Sequence, residues 1–160
     1  MYNHIHSYIK LSMKSIISFS NCSIIDDDIA HSIRHPRPAS ITNIIEYIEK
    51  TYPTAEDKNI VREIDLSCNR IGPAGAKQIL TYISENLHQI EKINLSHNRI
   101  DRHKCYCNSA HDEFNEKLLE ISSMPSIEEI CITTELFDTD AITIQQLIGE
   151  NPKIKDTNES

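Results

Sequence analysis

Apolar residues follow the same frame twice in the middle of the chain. The segment IDLSCNRI at 64–71 returns as INLSHNRI at 93–100, 29 residues later, and only two of the eight positions differ. Val61 and Ile90 extend both copies upstream, so the shared frame is apolar-x-x-apolar-x-apolar-x-x-Asn-x-apolar. Self-similarity at a fixed period is the sequence signature of a repeat architecture.

Weaker copies of the frame lie on both sides of this pair, as is common for the terminal units of repeat proteins. The residues that fill them are Ile17, Phe19, Cys22 and Ile24 near one end, and Ile127, Ile130, Ile132, Glu135 and Phe137 near the other. The frame therefore extends over about four units.

The same apolar pattern predicts which secondary structure each unit contains. Apolar and polar residues alternate at the start of each unit, which predicts a short strand with one inward and one outward face. Apolar residues at spacings of three and four then predict a helix. The expected helices run from Ser40 to a stop before Pro53, over 73–85, from Ser109 onward, and over 141–149. In the Ser109 helix, the residues expected to point inward are Phe114, Leu118, Leu119 and Ile121.

The best-matched part of the chain resembles a known repeat family. The matching segments are IDLSxNRI at 64–71, GPAGA at 72–76, Asn86, and INLSxNRI at 93–100. With them the chain resembles the ribonuclease-inhibitor-like subtype of leucine-rich repeats, closely over 61–101 and loosely elsewhere. The resemblance implies an α/β solenoid with parallel strands on a concave face and helices on a convex face. It also implies protein binding across the concave face and its rim, and no catalytic residues.

We expect a single leucine-rich-repeat domain over 1–160. Its predicted parts are a degenerate first repeat with an insertion at 14–60, a repeat at 61–89, a repeat with an insertion at 90–126, a C-terminal capping repeat at 127–152, and a disordered tail at 153–160.

Asn69 and Asn98 occupy the one fixed polar position of the frame. Where the chain turns away from a strand, its backbone groups lose their ladder partners, and an amide side chain can both donate to them and accept from them. We expect both residues to have this structural role. Cys22 takes the same position in the first unit and Glu135 in the last.

The outward strand positions line up in rows if the strands stack in parallel. The first rows are Ile16, Glu63, Lys92, Glu129, and then Ser18, Asp65, Asn94, Cys131. The predicted partner-binding residues are Glu63, Asp65, Ser67, Lys92, Asn94, Ser96, His97, Glu129 and Thr133. A merely solvated sheet face is the alternative, and the insertion at 101–111 is a candidate for additional contact surface.

Charge and cysteine content narrow the choice of partners. The formal net charge of −8 opposes binding to nucleic acid or to an anionic membrane. No apolar run reaches the roughly 20 residues that a membrane span needs. Five cysteines, an odd number in a chain of 160 residues, favour reduced thiols and a cytoplasmic location.

Two chemical alternatives are weaker. His103, Cys105, Cys107 and His111 could together bind zinc, but the Cys-x-Cys spacing is tighter than the Cys-x2-4-Cys of structural sites, so we expect no metal and no cofactor. Cys68 and His97 fall in one row as a possible nucleophile and base, without a third orienting residue.

The sequence therefore predicts a protein-interaction module rather than an enzyme, with an unidentified protein or peptide as its partner. A self-associating scaffold is the main alternative, and the sequence leaves the oligomeric state open. Short repeat chains of this composition also resemble effectors that intracellular bacteria deliver into the cytosol of a host cell, which is an analogy only.

Overall fold

The computed structural model describes residues 15–27, 39–100, 109–133 and 141–157. The elements are β1 (Ser15–Ser18), α1 (Ile41–Thr51), α2 (Ala55–Lys58), β2 (Val61–Asp65), α3 (Pro73–Asn86), β3 (Lys92–Asn94), α4 (Ser109–Ser122), β4 (Glu129–Ile132), α5 (Ala141–Glu150) and β5 (Ile154–Asp156). Among these described elements, one helix lies between successive strands, except that two helices lie between β1 and β2.

The five strands form one parallel sheet in which each strand lies beside its neighbour in sequence. One isoleucine from every strand falls in the same register, and all of them are at most 4% exposed. These residues are Ile17, Ile64, Ile93, Ile130 and Ile154. Because side chains alternate along a strand, this row places one face of the sheet against the core. The α/β class and the parallel pairing of the strands are confirmed.

The chain after residue 152 differs from the sequence prediction. Instead of a disordered tail, residues 154–156 form β5, which raises the number of strands from four to five. Ile154 is 2% exposed and pairs with Ile130, and the Thr157 amide donates to the Ile132 carbonyl at 2.9 Å. β3 is equally short but lies within a complete copy of the apolar frame, whereas Ile154 is the only apolar residue after Ile148. No apolar pattern therefore marks β5, and only its pairing with β4 reveals it.

The helices contribute the other side of the core. Their fully or almost fully buried residues are Ile41, Ile44 and Ile48 on α1, Ala76, Ile79, Leu80 and Ile83 on α3, and Phe114, Leu118 and Ile121 on α4. Leu119 was expected to point inward but is 43% exposed. Leu118 and Ile121 take the core-facing side of α4, and Leu119 lies about 100° further around the helix than Leu118, outside the contact with the core.

Asn69 makes hydrogen bonds in two directions at the turn after β2. Its Oδ1 accepts from the amides of Cys22 and Ile24, at 3.0 Å each. Its Nδ2 donates to the carbonyls of Phe19 at 2.9 Å and Leu66 at 3.0 Å. The side chain thereby joins two successive turns of backbone.

Asn98 repeats this arrangement one unit later. Its Oδ1 accepts from the Ile71 amide at 3.0 Å, and its Nδ2 donates to the carbonyls of Leu66 at 2.9 Å and Leu95 at 3.0 Å. Asn98 is 7% exposed, so solvent is a poor substitute for any of these bonds.

A buried aspartate holds the start of α3, and the sequence frame gave no sign of it. Asp26 is 3% exposed, and its Oδ1 accepts from the Gly72 amide at 2.8 Å. Gly72 is the N-cap of α3, where a carboxylate is favoured by the unpaired amides and the helix dipole. A Cβ at Gly75 would collide with Asp26, lying 2.8 Å from its Cγ and 3.2 Å from Ile41 Cγ1. Gly75 is therefore needed for the close approach of Asp26.

Replacing Asn98 with alanine should destabilise the fold by about 2 to 4 kcal/mol, because it leaves buried backbone donors and acceptors without partners. Urea unfolding followed by circular dichroism measures this loss. Asn59→Ala, at an exposed position, is the matched control and should change the free energy of unfolding by less than about 0.5 kcal/mol. A loss below about 1 kcal/mol for Asn98→Ala would contradict the structural role.

Replacing Gly75 with alanine should destabilise the protein, although helix propensity alone favours alanine by about 1 kcal/mol. The reason is the collision of the new methyl group with the carboxyl group of Asp26. Thermal unfolding measures the effect. Gly149→Ala is the control, because a Cβ there meets nothing within 4 Å, and it should leave the melting temperature unchanged or raise it. A higher melting temperature for Gly75→Ala would refute the collision.

Candidate functional site

The face of the sheet that points away from the buried isoleucines carries polar side chains in register. Glu63 pairs with Lys92, and Lys92 pairs with Glu129. The next row runs from Asp65 through Asn94 and Cys131 to Lys155. The two rows that the sequence predicted are confirmed, and β5 extends the second row by one residue. Opposite charges therefore alternate across neighbouring strands of this face.

The predicted partner-binding residues differ in how much surface they offer. Lys92 and His97 are exposed, and the partly exposed ones are Glu63, Asp65, Asn94, Glu129 and Thr133.

Ser67 and Ser96 differ from the sequence prediction, because they are 8% and 4% exposed and offer almost no surface to a partner. The Ser67 hydroxyl forms a hydrogen bond with that of Ser20 at 3.0 Å, and the Ser96 hydroxyl donates to Asn94 Oδ1 at 2.6 Å. The hydrogen bonds of these hydroxyl groups are therefore made within the protein and not with a partner.

Asp65 and Asn94 have a structural task in addition to lying on the open face. Asp65 Oδ1 accepts from the Ser67 amide, and Asn94 Oδ1 accepts from the Ser96 amide, each at 3.0 Å. A side chain that accepts from the amide two residues later forms an Asx turn, which ends the strand and directs the chain away. Only part of each side chain remains for contact with a partner.

Cys68 and His97 lie one residue beyond these turns, with positive φ angles of 57° and 54°. Asn21 has the equivalent conformation in the first unit, with φ of 58°. A left-handed backbone costs about 1 to 2 kcal/mol for residues other than glycine, and asparagine tolerates it best. The row formed by these three exposed residues therefore results from a repeated turn.

The structure gives no support to Cys68 and His97 as a nucleophile and base. The Cys68 amide donates to the Ser96 carbonyl at 3.0 Å, and the His97 amide donates to Thr133 Oγ1 at 2.9 Å. Among the described residues, no hydrogen bond joins the Cys68 thiol to the His97 ring. Both side chains are exposed, which leaves the pair open to water.

One charged group of this face is closely connected by hydrogen bonds and an ion pair. It consists of Glu129, Cys131 and Lys155. Lys155 Nζ lies 2.6 Å from Glu129 Oε2, and the Cys131 thiol donates to Glu129 Oε1 at 3.4 Å. The hydrogen bond from Lys155 lowers the pKa of Glu129, against the opposing effect of burial. Burial, together with the Glu129 carboxylate, raises the pKa of Cys131 to about 11. The sequence missed Lys155 because it lies in the segment expected to be a tail.

The candidate zinc ligands stay untested. His103, Cys105 and Cys107 lie outside the described residues, as does the side chain of His111 on α4. Within the described ranges, no three His, Cys, Asp or Glu side chains come together in a way that could hold a metal ion. The helices of the same ranges include none that is long and apolar enough to cross a bilayer.

Comparison with known proteins adds no further constraint. No protein-family model, curated protein or solved structure matches this chain.

Cys131 should react slowly with iodoacetamide, because a thiol with a pKa of about 11 is only about 0.1% thiolate at pH 8, and the thiolate is the nucleophile. We expect its labelling, followed by peptide mass spectrometry, to be at least about tenfold slower than that of the exposed Cys22 and Cys68. Glu129→Gln should accelerate labelling of Cys131, because loss of the carboxylate lowers the thiol pKa. Glu63→Gln is the control and should leave the rate unchanged. Equal rates for all three cysteines would be evidence against this electrostatic arrangement.

Proposed function

We propose that this chain is a short leucine-rich-repeat solenoid that binds another protein through the open face of its sheet and the adjoining loops. The solenoid interpretation is supported by the order of the strands, which follows the chain, and by the asparagine hydrogen bonds that recur after 29 residues. In a solenoid each unit contacts its neighbours, and the stacked strands create one extended surface.

The observation that carries this proposal is the row of alternating charges formed by Glu63, Lys92 and Glu129. Parallel pairing fixes the spacing of neighbouring residues in the row at about 4.8 Å. Such a preorganised charge pattern favours a partner of complementary pattern and disfavours others, because like charges brought together in a contact are costly. A flexible surface of equal composition would lose more conformational entropy on binding.

The size of the face limits what it can bind alone. Five strands span about 19 Å, whereas a standard interface buries about 800 Å² on each partner. The strands themselves are three to five residues long. A stable contact therefore includes the exposed loop residues at the ends of the strands, such as His97, or the partner is a short extended peptide.

We further propose a cytoplasmic location, in keeping with the free thiols of Cys22, Cys68 and Cys131. The effector analogy would make this the cytosol of a host cell. Binding through the open face and its adjoining loops depends on neither point.

Exchanging the two charges of the central row tests this proposal. The double variant Glu63→Lys with Lys92→Glu keeps the net charge but changes the row from negative-positive-negative to positive-negative-negative across β2, β3 and β4. We expect capture of the partner to fall at least about tenfold, equivalent to about 1.4 kcal/mol. Partner capture from a cell lysate, with quantitative mass spectrometry, measures this change.

The matched control exchanges two exposed charges on helix α1, Glu46→Lys with Lys50→Glu. It also keeps the net charge, and it should capture the partner as the original chain does. Circular dichroism and thermal unfolding verify that both variants fold. If the sheet variant captured the same proteins in the same amounts as the control, the open face would not be the binding site.

A further inference from the structure

Among the described residues, no strand pairs with β1 on the side that faces away from β2. The amides of Ser15, Phe19 and Asn21 donate to carbonyls of the neighbouring unit, at 2.9, 2.8 and 3.0 Å. Successive residues of a strand turn their amides to opposite sides. The amides of Ile16 and Ser18 therefore point away from β2, toward the free edge of the sheet.

Within the described residues, this edge strand has no charge and no proline, two features that usually protect an edge. Such strands are commonly protected by charged residues, by proline or by a bulge that twists the edge away, because an open edge is a template for pairing with another chain. The segment 15–25 contains no charged residue and no proline, although a quarter of the chain is charged. The one irregularity in β1 lies between Ser15 and Ile16, before the two edge-facing amides.

Exposed apolar side chains collect at the same end of the protein. Ile16 is 62% exposed on the open face, and Tyr47 of α1 is 48% exposed. Tyr47 packs edge-on against Phe19, which directly follows β1, with ring centroids 5.1 Å apart. Leu119 is the remaining large apolar side chain that is exposed among the described residues, and it lies on α4. The β1 end thus combines open backbone groups with uncovered apolar surface.

We propose that β1 pairs antiparallel with β1 of a second copy of this chain. With a twofold axis at Ile17, Ile16 of each copy lies opposite Ser18 of the other, and the outward amides and carbonyls of both residues form four hydrogen bonds. The two Ile16 side chains become diagonal neighbours on the open face, within reach of contact. Twofold pairing occupies the β1 edge of both copies, so no β1 edge remains for a third copy and the assembly stops at a dimer.

Charge explains why a second copy fits this edge. Two chains that each carry a net charge of −8 repel each other, and this repulsion opposes a contact least where both surfaces carry no charge. The β1 segment supplies such a surface on both copies. The contact is small, and its strength is expected to lie in the micromolar range.

The dimer would also enlarge the surface that the proposed function uses. Joining two five-stranded sheets edge to edge gives a continuous ten-stranded sheet about 43 Å wide, with the charged rows of both copies on one face. The dimer does not depend on partner binding, because Glu63 and Lys92 take no part in the β1 contact.

Sedimentation velocity of the full chain from about 1 to 500 µM tests the dimer. We expect the mass to rise with concentration from 18.3 kDa toward twice that value. Raising the salt concentration should strengthen the association, because it screens the repulsion between two acidic chains. A single 18.3 kDa species at every concentration would overturn the proposal.

Two variants locate the contact. Ser18→Pro removes an amide that faces the free edge and leaves the amides that donate to β2 in place. Ile16→Lys adds a charge at the proposed contact without changing the backbone. It therefore still tests the β1 contact if the Ser18→Pro variant does not fold. Each should raise the dissociation constant at least tenfold, while thermal unfolding shows whether the monomer is intact.

Leu119→Lys is the matched control, because it places the same charge at an exposed apolar position outside β1. It should dimerise as the original chain does. If Leu119→Lys abolished association while Ile16→Lys and Ser18→Pro did not, the contact would lie on the helices and the β1 proposal would be wrong. Partner capture by the original chain at a concentration well below the dimer dissociation constant shows separately whether the proposed binding function stands.

Discussion

The chain leaves the sheet after β2 and after β3 while it is still buried, so its backbone groups lose their ladder partners where solvent cannot replace them. Asn69 and Asn98 resolve this constraint, because a single amide group both accepts from backbone amides and donates to backbone carbonyls. The leucines and isoleucines around them can pack in successive layers only because these polar groups are satisfied. Hydrophobic burial supplies the driving force, and the asparagines make it compatible with a turning backbone.

The sequence predicted the parts of the fold that repeat. The isoleucine row follows from the frame, because residues at equivalent frame positions in parallel strands must lie side by side. The charged row of Glu63, Lys92 and Glu129 follows from the same alternation. These features depend on local periodicity, which a single sequence contains in full.

The sequence did not predict the features that depend on contacts between distant segments of the chain. Asp26 has no repeated counterpart in the frame, and its role emerges only where it meets Gly72 and Gly75 of α3. Lys155 was assigned to a tail because Ile154 is the only apolar residue after Ile148, so no apolar pattern marks β5. Ser67 and Ser96 were placed on the surface by extending the strand alternation. The strands end at Asp65 and Asn94, however, and beyond the Asx turns the serine hydroxyl groups bond to Ser20 and Asn94 and are almost fully buried. Alternation is a property of extended backbone and does not survive a turn.

The asparagine hydrogen bonds also run in one direction along the chain. Asn69 completes the turn at Phe19, Cys22 and Ile24, which was made 45 to 50 residues earlier. Asn98 in turn completes the turn at Ile71. During synthesis on the ribosome, each unit therefore emerges before the residue that finishes it, and the first turn acquires its last hydrogen bonds only when the second unit has left the exit tunnel. Folding of the growing chain must follow its synthesis with a delay of one unit.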